Sequence, residues 1–446
     1  MAAAPSLDLL HTLVNAARKA GADAADALAV ESASLSLSQR LGKPEKVERS
    51  ESCDLGLRVF VGRRQAIVSS TDRSTRNLDA LVERAVAMAR AAPEDPYAGL
   101  ADPDQIARAW PDLDLNDGDE PTAERLIGMA KVAEEAALAV DGVTNSEGAE
   151  GGWGRSTVAM AASNGFAGGY SLSRWSLGVS VLAGEGTGME RDYDYTGAVY
   201  ASDLEPAEAI GRRAGERAVR RLNARKVPTC QVPVVFDPRV ARGFLGTLSG
   251  AISGSAIARG VSFLKDRLGQ PVFSPDVTVM DEPLLPRGLR SRPFDGEGLA
   301  VEGRAFIDRG VLTSWVLDLR SARQLGLRST GHASRGTGGP PGPSVSNFYM
   351  QPGVVTVKEL ISDIKSGLYV TDMMGMGTNM VTGDYSRGAA GFWIENGELT
   401  FPVNELTVAS NLHDMFRRLV PANDLNRRYG VDAPTVRIDG MTVAGR

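Results

Sequence analysis

The residues best suited to chemistry by type and spacing form a short glycine-flanked stretch in the last fifth of the chain. They are Gly383, Asp384, Tyr385, Ser386, Arg387 and Gly388. The flanking glycines let the backbone take positive φ or approach another chain closely, which predicts a backbone-dense loop that could line a cleft. A tight turn whose polar side chains satisfy its own backbone is an equally good interpretation of the spacing.

Histidine and cysteine, the usual zinc ligands, are scarce. The chain has three histidines, His11, His332 and His413, and two cysteines, Cys53 and Cys230. No histidine is followed by glutamate and no two lie four residues apart, so a zinc-binding helix of the HExxH type is excluded. Neither cysteine has a histidine or a second cysteine nearby. We therefore expect no metal site made from this chain alone, and no catalysis that depends on histidine.

Other catalytic patterns are weak or missing. The carboxylate pairs Asp281-Glu282 and Asp192/Asp194 are typical of acidic turns at a protein surface. The glycines at positions 184, 186 and 188 do not form G-x-G-x-x-G and no helix pattern follows them. There is neither a P-loop nor a G-x-S-x-G elbow. The sequence thus predicts neither a nucleotide site nor a serine-hydrolase nucleophile.

Composition limits the class of protein. The 446 residues are 43% hydrophobic and 23% charged, as in a soluble globular protein of two or three domains. A net charge of −6 argues against direct nucleic-acid binding. No apolar run has the length of a membrane span, and two distant cysteines fit a reducing compartment. We expect no membrane contact and a cytoplasmic location.

The elements that must position these residues predict an α+β fold with mainly antiparallel sheets. Helical and alternating patterns in the first half predict an N-terminal domain of helices and antiparallel strands, a linker rich in Asp and Pro, and a central α+β region that packs with the N-terminal domain. The predicted bounds are residues 1–95, 96–121 and 122–227. Within them we expect, among others, strands at 64–70, 142–150 and 156–162, and a helix at 123–140 capped by Thr122.

From Val227-Pro228 onward the composition shifts to glycine, proline and short strands, which predicts a β-rich C-terminal domain at residues 228–446. A helix at 238–258 is dense in glycine and small residues, which implies close packing against another surface. Residues 354–357 are predicted as a strand. Asn396-Gly397, between two β-prone runs, is the strongest hairpin signal in the chain.

Several stretches resemble one known family. Residues 381–420, VTGDYSRGAAGFWIENGELTFPVNELTVASNLHDMFRRLV, resemble the C-terminal signature of the TldD/PmbA family in its TldE/PmbA branch. Agreement continues, in the family's order, over essentially the whole chain. The other stretches are ESCDLGLRVFVGRRQAIVSSTD at 51–72, FDGEG at 294–298, DLRSARQLG at 318–326, GHASRG at 331–336 and SNFYMQPG at 346–353.

The resemblance implies a protease made of two kinds of chain. TldD-type chains carry a zinc-binding H-E-x-x-x-H helix and pair with a TldE-type chain that lacks it. Here the equivalent window, residues 245–250, contains no His or Glu, and no cysteine follows Cys230 to match the family's late cysteine ligand. The implied role is a metal-free subunit of a zinc metalloprotease for unfolded or extended peptides, with the zinc in the partner.

Three readings remain open. The first is that subunit of a heteromer. The second is a non-catalytic regulatory protein of the gyrase-modulator type, which would act through a protein partner. The third is a homodimer with another chemistry. Under the first, residues 383–388 together with Asn396 and Gly397 would lie at the subunit interface or in the peptide channel; the alternative is that this segment is only the core hairpin of its domain.

Overall fold

The N-terminal part of the computed structural model, which describes residues 7–445, is built on one antiparallel sheet of six strands. Residues 1–6 of the predicted N-terminal domain lie outside the described residues. The strands are β1 (Ala24–Arg40), β2 (Lys43–Val61), β3 (Arg64–Ser70), β4 (Val143–Ala162), β5 (Ala167–Ala183) and β6 (Glu190–Ala198). Their order in the sheet is β3-β2-β1-β4-β5-β6. The sequence predicted two strands, 142–150 and 156–162, with a gap at 151–155. The structure has one continuous strand there, because the glycine-rich stretch of β4 pairs with β1 on one side and with β5 on the other.

Four helices cover one face of this sheet. They are α1 (Leu7–Lys19), α2 (Thr75–Ala91), α3 (Ala123–Leu138) and α4 (Ala207–Arg220). The alternation along β1 explains why they share a face: Ala25, Ala27 and Ala29 pack under α1 and α2, while Leu35 and Leu37 pack under α3 and α4. The Thr122 side chain accepts the Arg125 N–H at 3.3 Å and caps α3, as predicted.

An aromatic cluster forms one contact between the opposite face of the sheet and the C-terminal region. Phe166 of the turn between β4 and β5 and Tyr170 of β5 surround Phe294, with ring centroids 4.9 Å and 5.4 Å from it. Trp110 of the 96–121 segment completes the cluster at 4.8 Å from Phe294. Farther along β1 this face carries Ser32, Ser34, Ser36 and Ser38, all partly or fully exposed. This contact between the two regions is therefore aromatic, and it leaves the serine stretch of β1 exposed.

The C-terminal region consists of short elements around one closed sheet. They are β7 (Cys230–Phe236), α5 (Pro238–Ala251), α6 (Gly254–Ala258), β8 (Val279–Asp281), β9 (Arg304–Asp308), β10 (Val311–Leu312), α7 (Leu319–Gln324), β11 (Ala333–Ser334), β12 (Gly342–Pro343), β13 (Phe348–Met350), α8 (Val357–Ile361), β14 (Ser366–Met374), β15 (Asp384–Glu395), β16 (Glu398–Asn411), α9 (Leu412–Arg418), β17 (Leu419–Pro421), β18 (Val431–Asp432) and β19 (Val436–Ala444).

The sheet closes because β16 pairs with both β15 and β19, completing the ring β16-β15-β14-β7-β19. Beside it, β10-β9-β8-β13-β18 form a smaller sheet, and α5 contacts strands of both. The α+β class is thus confirmed. Most strand pairs are antiparallel; β7 with β14 and β13 with β18 are parallel.

Two predicted elements of this region were wrong. Residues 354–357 do not form a strand, because Thr356 caps α8 in a capping box with Glu359. The glycine-rich helix is not continuous to residue 258: α5 ends at Ala251, and a new backbone contact, Gly254 N–H to the Val316 carbonyl at 2.8 Å, separates it from α6. No helix in residues 7–445 combines the length and apolarity needed to cross a membrane.

A buried charge network, defined here as Asp26, Arg58, Glu297 and Arg335, ties the first sheet to the C-terminal region. Asp26 accepts from Arg58 Nε at 2.9 Å and from Arg335 Nη1 at 2.7 Å, and it is fully buried. Arg58 Nη1 lies 4.0 Å from Glu297 Oε1, so the network reaches a second acidic side chain. Burial would raise the pKa of Asp26, but Arg335 and Arg58 outweigh it and hold that pKa below its ordinary value.

The turn between β1 and β2 depends on one buried carboxylate, Glu134 on α3. It accepts from Gln39 Nε2 (3.1 Å), the Leu41 N–H (2.8 Å), the Gly42 N–H (2.9 Å) and Ser146 Oγ (2.6 Å). Glu134→Ala leaves these donors unsatisfied, so we expect the free energy of unfolding to fall by about 2 kcal/mol.

Urea denaturation measures this loss. The matched control is the exposed neighbour Glu135, whose contact with Lys131 Nζ is 3.7 Å long and mostly solvated. Glu135→Ala should change stability by less than about 0.5 kcal/mol. Equal effects of the two substitutions would contradict the role given to Glu134.

Candidate functional site

The predicted loop at 383–388 is mostly strand. Gly383 turns the chain at φ +80°, and Asp384 already begins β15, paired with Asn411 of β16. The flanking glycines suggested a loop, but the backbone of this stretch is paired with β16 from Asp384 onward. The chain around Gly377 approaches β15 closely, since a Cβ at Gly377 would lie 1.5 Å from the Ser386 carbonyl oxygen.

Tyr385 and Arg387 point toward helix α5. Tyr385 is buried with its ring centroid 5.9 Å from that of Phe244 on α5, and burial raises the pKa of Tyr385 to about 12. Arg387 Nε donates to the Gly375 carbonyl at 3.0 Å. Ser386 donates its backbone N–H to Gly377 at 2.7 Å and its side chain is exposed.

Asn396 and Gly397 form the predicted hairpin turn, with φ of +51° and +82° between paired Glu395 and Glu398. The hairpin is confirmed. Eight residues of β15, 388–395, lie between Arg387 and this turn. The nine residue steps from Arg387 to Asn396 span up to about 30 Å at about 3.3 Å per residue. Gly397 packs on its own chain, where a Cβ would lie 2.7 Å from the Ser362 carbonyl oxygen. The structure therefore does not bring the two parts of the predicted site together.

Arg387 lines a cleft of about 460 Å³ beside the first half of α5, which we call the arginine cleft. Five segments distant in sequence supply its guanidinium groups and aromatic rings. Its walls are Tyr193, Arg239, Val240, Arg242, Gly243, Arg290, Thr371, Asp372, Met373, Arg387, Tyr429 and Val431.

Only part of the positive charge in the arginine cleft is balanced nearby. Arg239 binds Asp192 with both terminal nitrogens, at 2.6 Å and 3.0 Å. Burial would raise the pKa of Asp192, but Arg239 outweighs it and holds that pKa low. Asp372 is contacted by Arg221 at 3.3 Å. The expectation that Asp192 belongs to a surface turn was wrong: it is a buried strand residue.

The remaining three guanidinium groups donate only to neutral oxygens. Arg242 Nη1 donates to the Tyr195 hydroxyl, Arg290 Nη2 to the Val345 carbonyl at 3.1 Å, and Arg387 to a carbonyl as described. Within residues 7–445 none of the three forms an ion pair with a carboxylate. The cleft can therefore attract an anion.

Helix α5 presents an open glycine face next to this cleft. Its buried side consists of Ala241, Phe244, Leu245, Leu248 and Ala251. On the other side, a Cβ at Gly243 or Gly246 would meet nothing within 4 Å, and one at Gly250 would meet only Met380 Cε, at 3.4 Å. The close packing predicted for the 238–258 helix is found at Gly254 of α6, where a Cβ would lie 2.4 Å from Ser321 Oγ, but the described chain does not make it at the glycines of α5.

The histidines lie away from both features or are closed to solvent. His332 is fully buried: its Nδ1 lies 2.7 Å from the Thr330 carbonyl and its Nε2 lies 3.1 Å from Asp281 Oδ2. Ser346 Oγ donates to the same Asp281 oxygen at 2.6 Å. The serine contacts the aspartate rather than the histidine, so this buried hydrogen-bonded cluster has a structural role. Asp281, predicted at a surface turn, is its centre.

Sequence reasoning missed Arg239, Arg242, Arg290 and the two tyrosines of the arginine cleft. The one local signal is Arg239 and Arg242, three residues apart on the helix that continues into Gly243. Among the described residues no group of three or more His, Cys, Asp or Glu side chains is placed to hold a metal ion.

Three family models match this chain in sequence order. The PmbA/TldA metallopeptidase domain 1 matches residues 25–89, the central domain matches 116–222, and the C-terminal domain matches 229–445. Curated relatives include the metalloprotease PmbA of Escherichia coli O157:H7, 39% identical over 95% of this chain and 93% of its own length. A PmbA homolog of Haemophilus influenzae is 36% identical, over 97% and 94%.

Solved structures agree over nearly the full length. A Bacteroides thetaiotaomicron protein that carries the gyrase-modulator name superposes with a TM-score of 0.91 at 29% identity, covering 98% of each chain. TldE of Thermococcus kodakarensis superposes with a TM-score of 0.87 at 19% identity, covering 98% of this chain and 100% of its own. The second match concerns the fold alone.

Proposed function

The chain belongs to the PmbA/TldD metallopeptidase family, and from this premise we propose that it is the metal-free subunit of a heteromeric zinc metalloprotease acting on unfolded or extended peptides. The catalytic zinc sits on the HExxxH helix of a TldD-type partner. This chain shapes the wall of the peptide channel. We place the assembly in the cytoplasm, in keeping with the two free cysteines.

The observation that carries the proposal is the chemistry of helix α5. The resemblance places the family's zinc-binding helix here, but residues 245–250 read Leu-Gly-Thr-Leu-Ser-Gly. Zinc in proteins is held by imidazole, thiolate or carboxylate groups, and this window supplies none of them. The residues do not fit zinc, so hydrolysis is assigned to the partner.

The open face of α5 supports the channel role. Glycines there leave the helix backbone within reach of an extended peptide. Met374, the last residue of β14, and Met376, just after that strand, are 49% and 101% exposed. Methionine side chains adapt to varied partners, as a channel for peptides of mixed sequence requires.

The competing function is a regulatory protein of the gyrase-modulator type. The gyrase-modulator name of the Bacteroides thetaiotaomicron neighbour favours it. It requires binding to a protein partner without any peptide cleavage. The net charge of −6 argues against direct DNA binding, so the effect would pass through that partner.

Co-expression with an HExxxH-bearing family member tests the proposal. We expect the two chains to co-purify, one zinc per complex, and cleavage of an unfolded reporter such as reduced casein that stops with a chelator. The isolated chain should be inert. Chelator-sensitive cleavage by the isolated chain, or a complex that never cleaves any flexible peptide, contradicts the proposal; the latter outcome supports the regulatory function.

Gly246→Trp tests the channel wall. The new side chain points into open space, so we expect stability to stay within about 1 kcal/mol of the parent, since glycine in a helix is itself unfavourable. Turnover by the complex should fall at least tenfold while partner affinity holds.

The matched control is Gly128→Trp on helix α3, another exposed helical glycine with nothing within 4 Å of its Cβ position. It should leave turnover unchanged. Loss of partner affinity in Gly246→Trp, with normal turnover of the residual complex, would place α5 in the subunit interface instead.

A further inference from the structure

The arginine cleft holds a buried hydroxyl that has no hydrogen-bond partner. Thr371 is 9% exposed and lines the cleft, and its Oγ1 is buried with no partner among the described residues. Buried polar groups are nearly always satisfied, so an unpaired one in a cleft wall points to a group that binds there. The three guanidinium groups without a carboxylate point to the same place.

We propose that the arginine cleft binds a carboxylate group of the peptide that the assembly handles. The inference rests on the proposed function for the identity of the ligand, a peptide, and on the geometry of the cleft for its charge. Arg242, Arg290 and Arg387 are its binding residues, and the Thr371 hydroxyl donates to the bound group.

The chemistry of the walls selects a carboxylate. Guanidinium groups match the planar carboxylate with two parallel hydrogen bonds. Asp372 stands in the same wall, with Arg221 Nη1 3.3 Å from its carboxylate, so a doubly charged phosphate would meet repulsion that a singly charged carboxylate meets less. A cleft of about 460 Å³ is of the size that holds a small ligand.

Aromatic rings in the walls favour an organic ligand over a small inorganic anion. Tyr193 and Tyr429 line the cleft, and Tyr195, which is not one of the lining residues, lies with its ring centroid 4.7 Å from that of Tyr429. The Arg242 guanidinium carbon is 5.3 Å from the centroid of Tyr429 and 5.7 Å from that of Tyr195. This stacking holds Arg242 in place without neutralising its charge. A peptide end could bind its carboxylate to the arginines and its side chain to the rings.

Two sources supply such a carboxylate: the free carboxyl end of a peptide, or an Asp or Glu side chain within it. Three fluorescent versions of one flexible, otherwise neutral peptide separate them: a free acid, an amide, and an amide with one internal Asp. Binding is measured by fluorescence anisotropy on the isolated full-length chain, in chloride buffer.

We expect at least one carboxylate-bearing peptide to bind tenfold or more tightly than the amide, with an affinity that falls as chloride rises. Arg387→Ala should abolish the difference. Arg387 makes one carbonyl hydrogen bond, so the variant should fold normally, which thermal unfolding checks. The matched control Arg328→Ala removes a surface arginine paired with Asp104 and should change nothing.

Equal binding of all three peptides, or a carboxylate preference that survives in an Arg242→Ala, Arg387→Ala double variant, would overturn the inference. These readouts need neither partner nor turnover. A carboxylate preference without any cleaving complex would therefore contradict the proposed function alone, and a cleaving complex without carboxylate preference would contradict the cleft alone.

Discussion

Replacing Asp26 with alanine is expected to lower the free energy of unfolding by about 3–5 kcal/mol, because breaking a buried ion pair leaves uncompensated charges in the interior. Here two guanidinium groups, those of Arg58 and Arg335, would lose their shared carboxylate, and the side chain of Arg335 is only 1% exposed. Chemical denaturation monitored by tryptophan fluorescence measures the loss. Asp26→Asn keeps the shape of the side chain and should retain part of the hydrogen bonding. Its free energy of unfolding should therefore lie between those of the parent and of Asp26→Ala.

The matched control for Asp26 is a solvated pair that also links the two regions. Arg328 and Asp104 are 2.7 Å apart with side chains 67% and 66% exposed. Asp104→Ala should cost less than about 1 kcal/mol. The assignment of the buried charge network as the main polar tie fails if Asp26→Ala is no more harmful than this surface change.

Stability should decline as pH rises through the neutral range, and Glu297 should be the main cause. Burial raises the pKa of Glu297 to about 8, and the nearby Asp295 carboxylate adds to the shift. Burial also raises the pKa of Asp295, but three backbone N–H groups, those of residues 297, 299 and 333, donate to it and oppose the shift. Glu297 is thus the member that keeps a proton.

The direction follows from proton counts. Between the ordinary pKa of a glutamate, near 4.5, and about 8, the folded chain holds a proton on Glu297 that the unfolded chain has released. Raising the pH in this window therefore favours unfolding, by at most about 1.4 kcal/mol per pH unit. Below the window the contribution is fully present, and above it the contribution is lost.

Glu297→Gln, a permanent neutral side chain, should flatten this decline when unfolding is measured by urea at pH 5, 6, 7, 8 and 9. The exposed Glu302 supplies the control, since Glu302→Gln should retain the parent slope. Identical slopes for the parent and Glu297→Gln would show that another group holds the proton.

The sequence revealed what neighbouring residues determine. Strand β3 lies at the predicted residues 64–70, Thr122 caps α3, and Asn396-Gly397 makes the predicted turn, because each depends on a few adjacent side chains. Long-range pairing was not visible. No local feature of the β16 sequence indicates that this strand pairs with β19 as well as with β15. The pairing of β16 with β19 closes the sheet.

The candidate site was only partly predictable for the same reason. Arg387 was identified, but Arg242, Arg290 and Tyr429 reach the same cleft from separate segments, with no shared motif. Conversely, some stretches that carry the family resemblance have structural roles: Asp295, Glu297 and Arg335 lie in or beside the buried charge network. A motif shared within the family can therefore mark a contact between domains as readily as a catalytic site.

The closed ring of the C-terminal region places its first and last strands side by side, with Cys230 of β7 opposite Val443 of β19. Because these two points are neighbours, a short peptide could join them without distorting either strand. The region is in this respect suited to circular permutation, with new termini opened in an exposed surface segment. The order of the strands along the chain could thus be changed while the closed sheet and its contact with α5 stay the same.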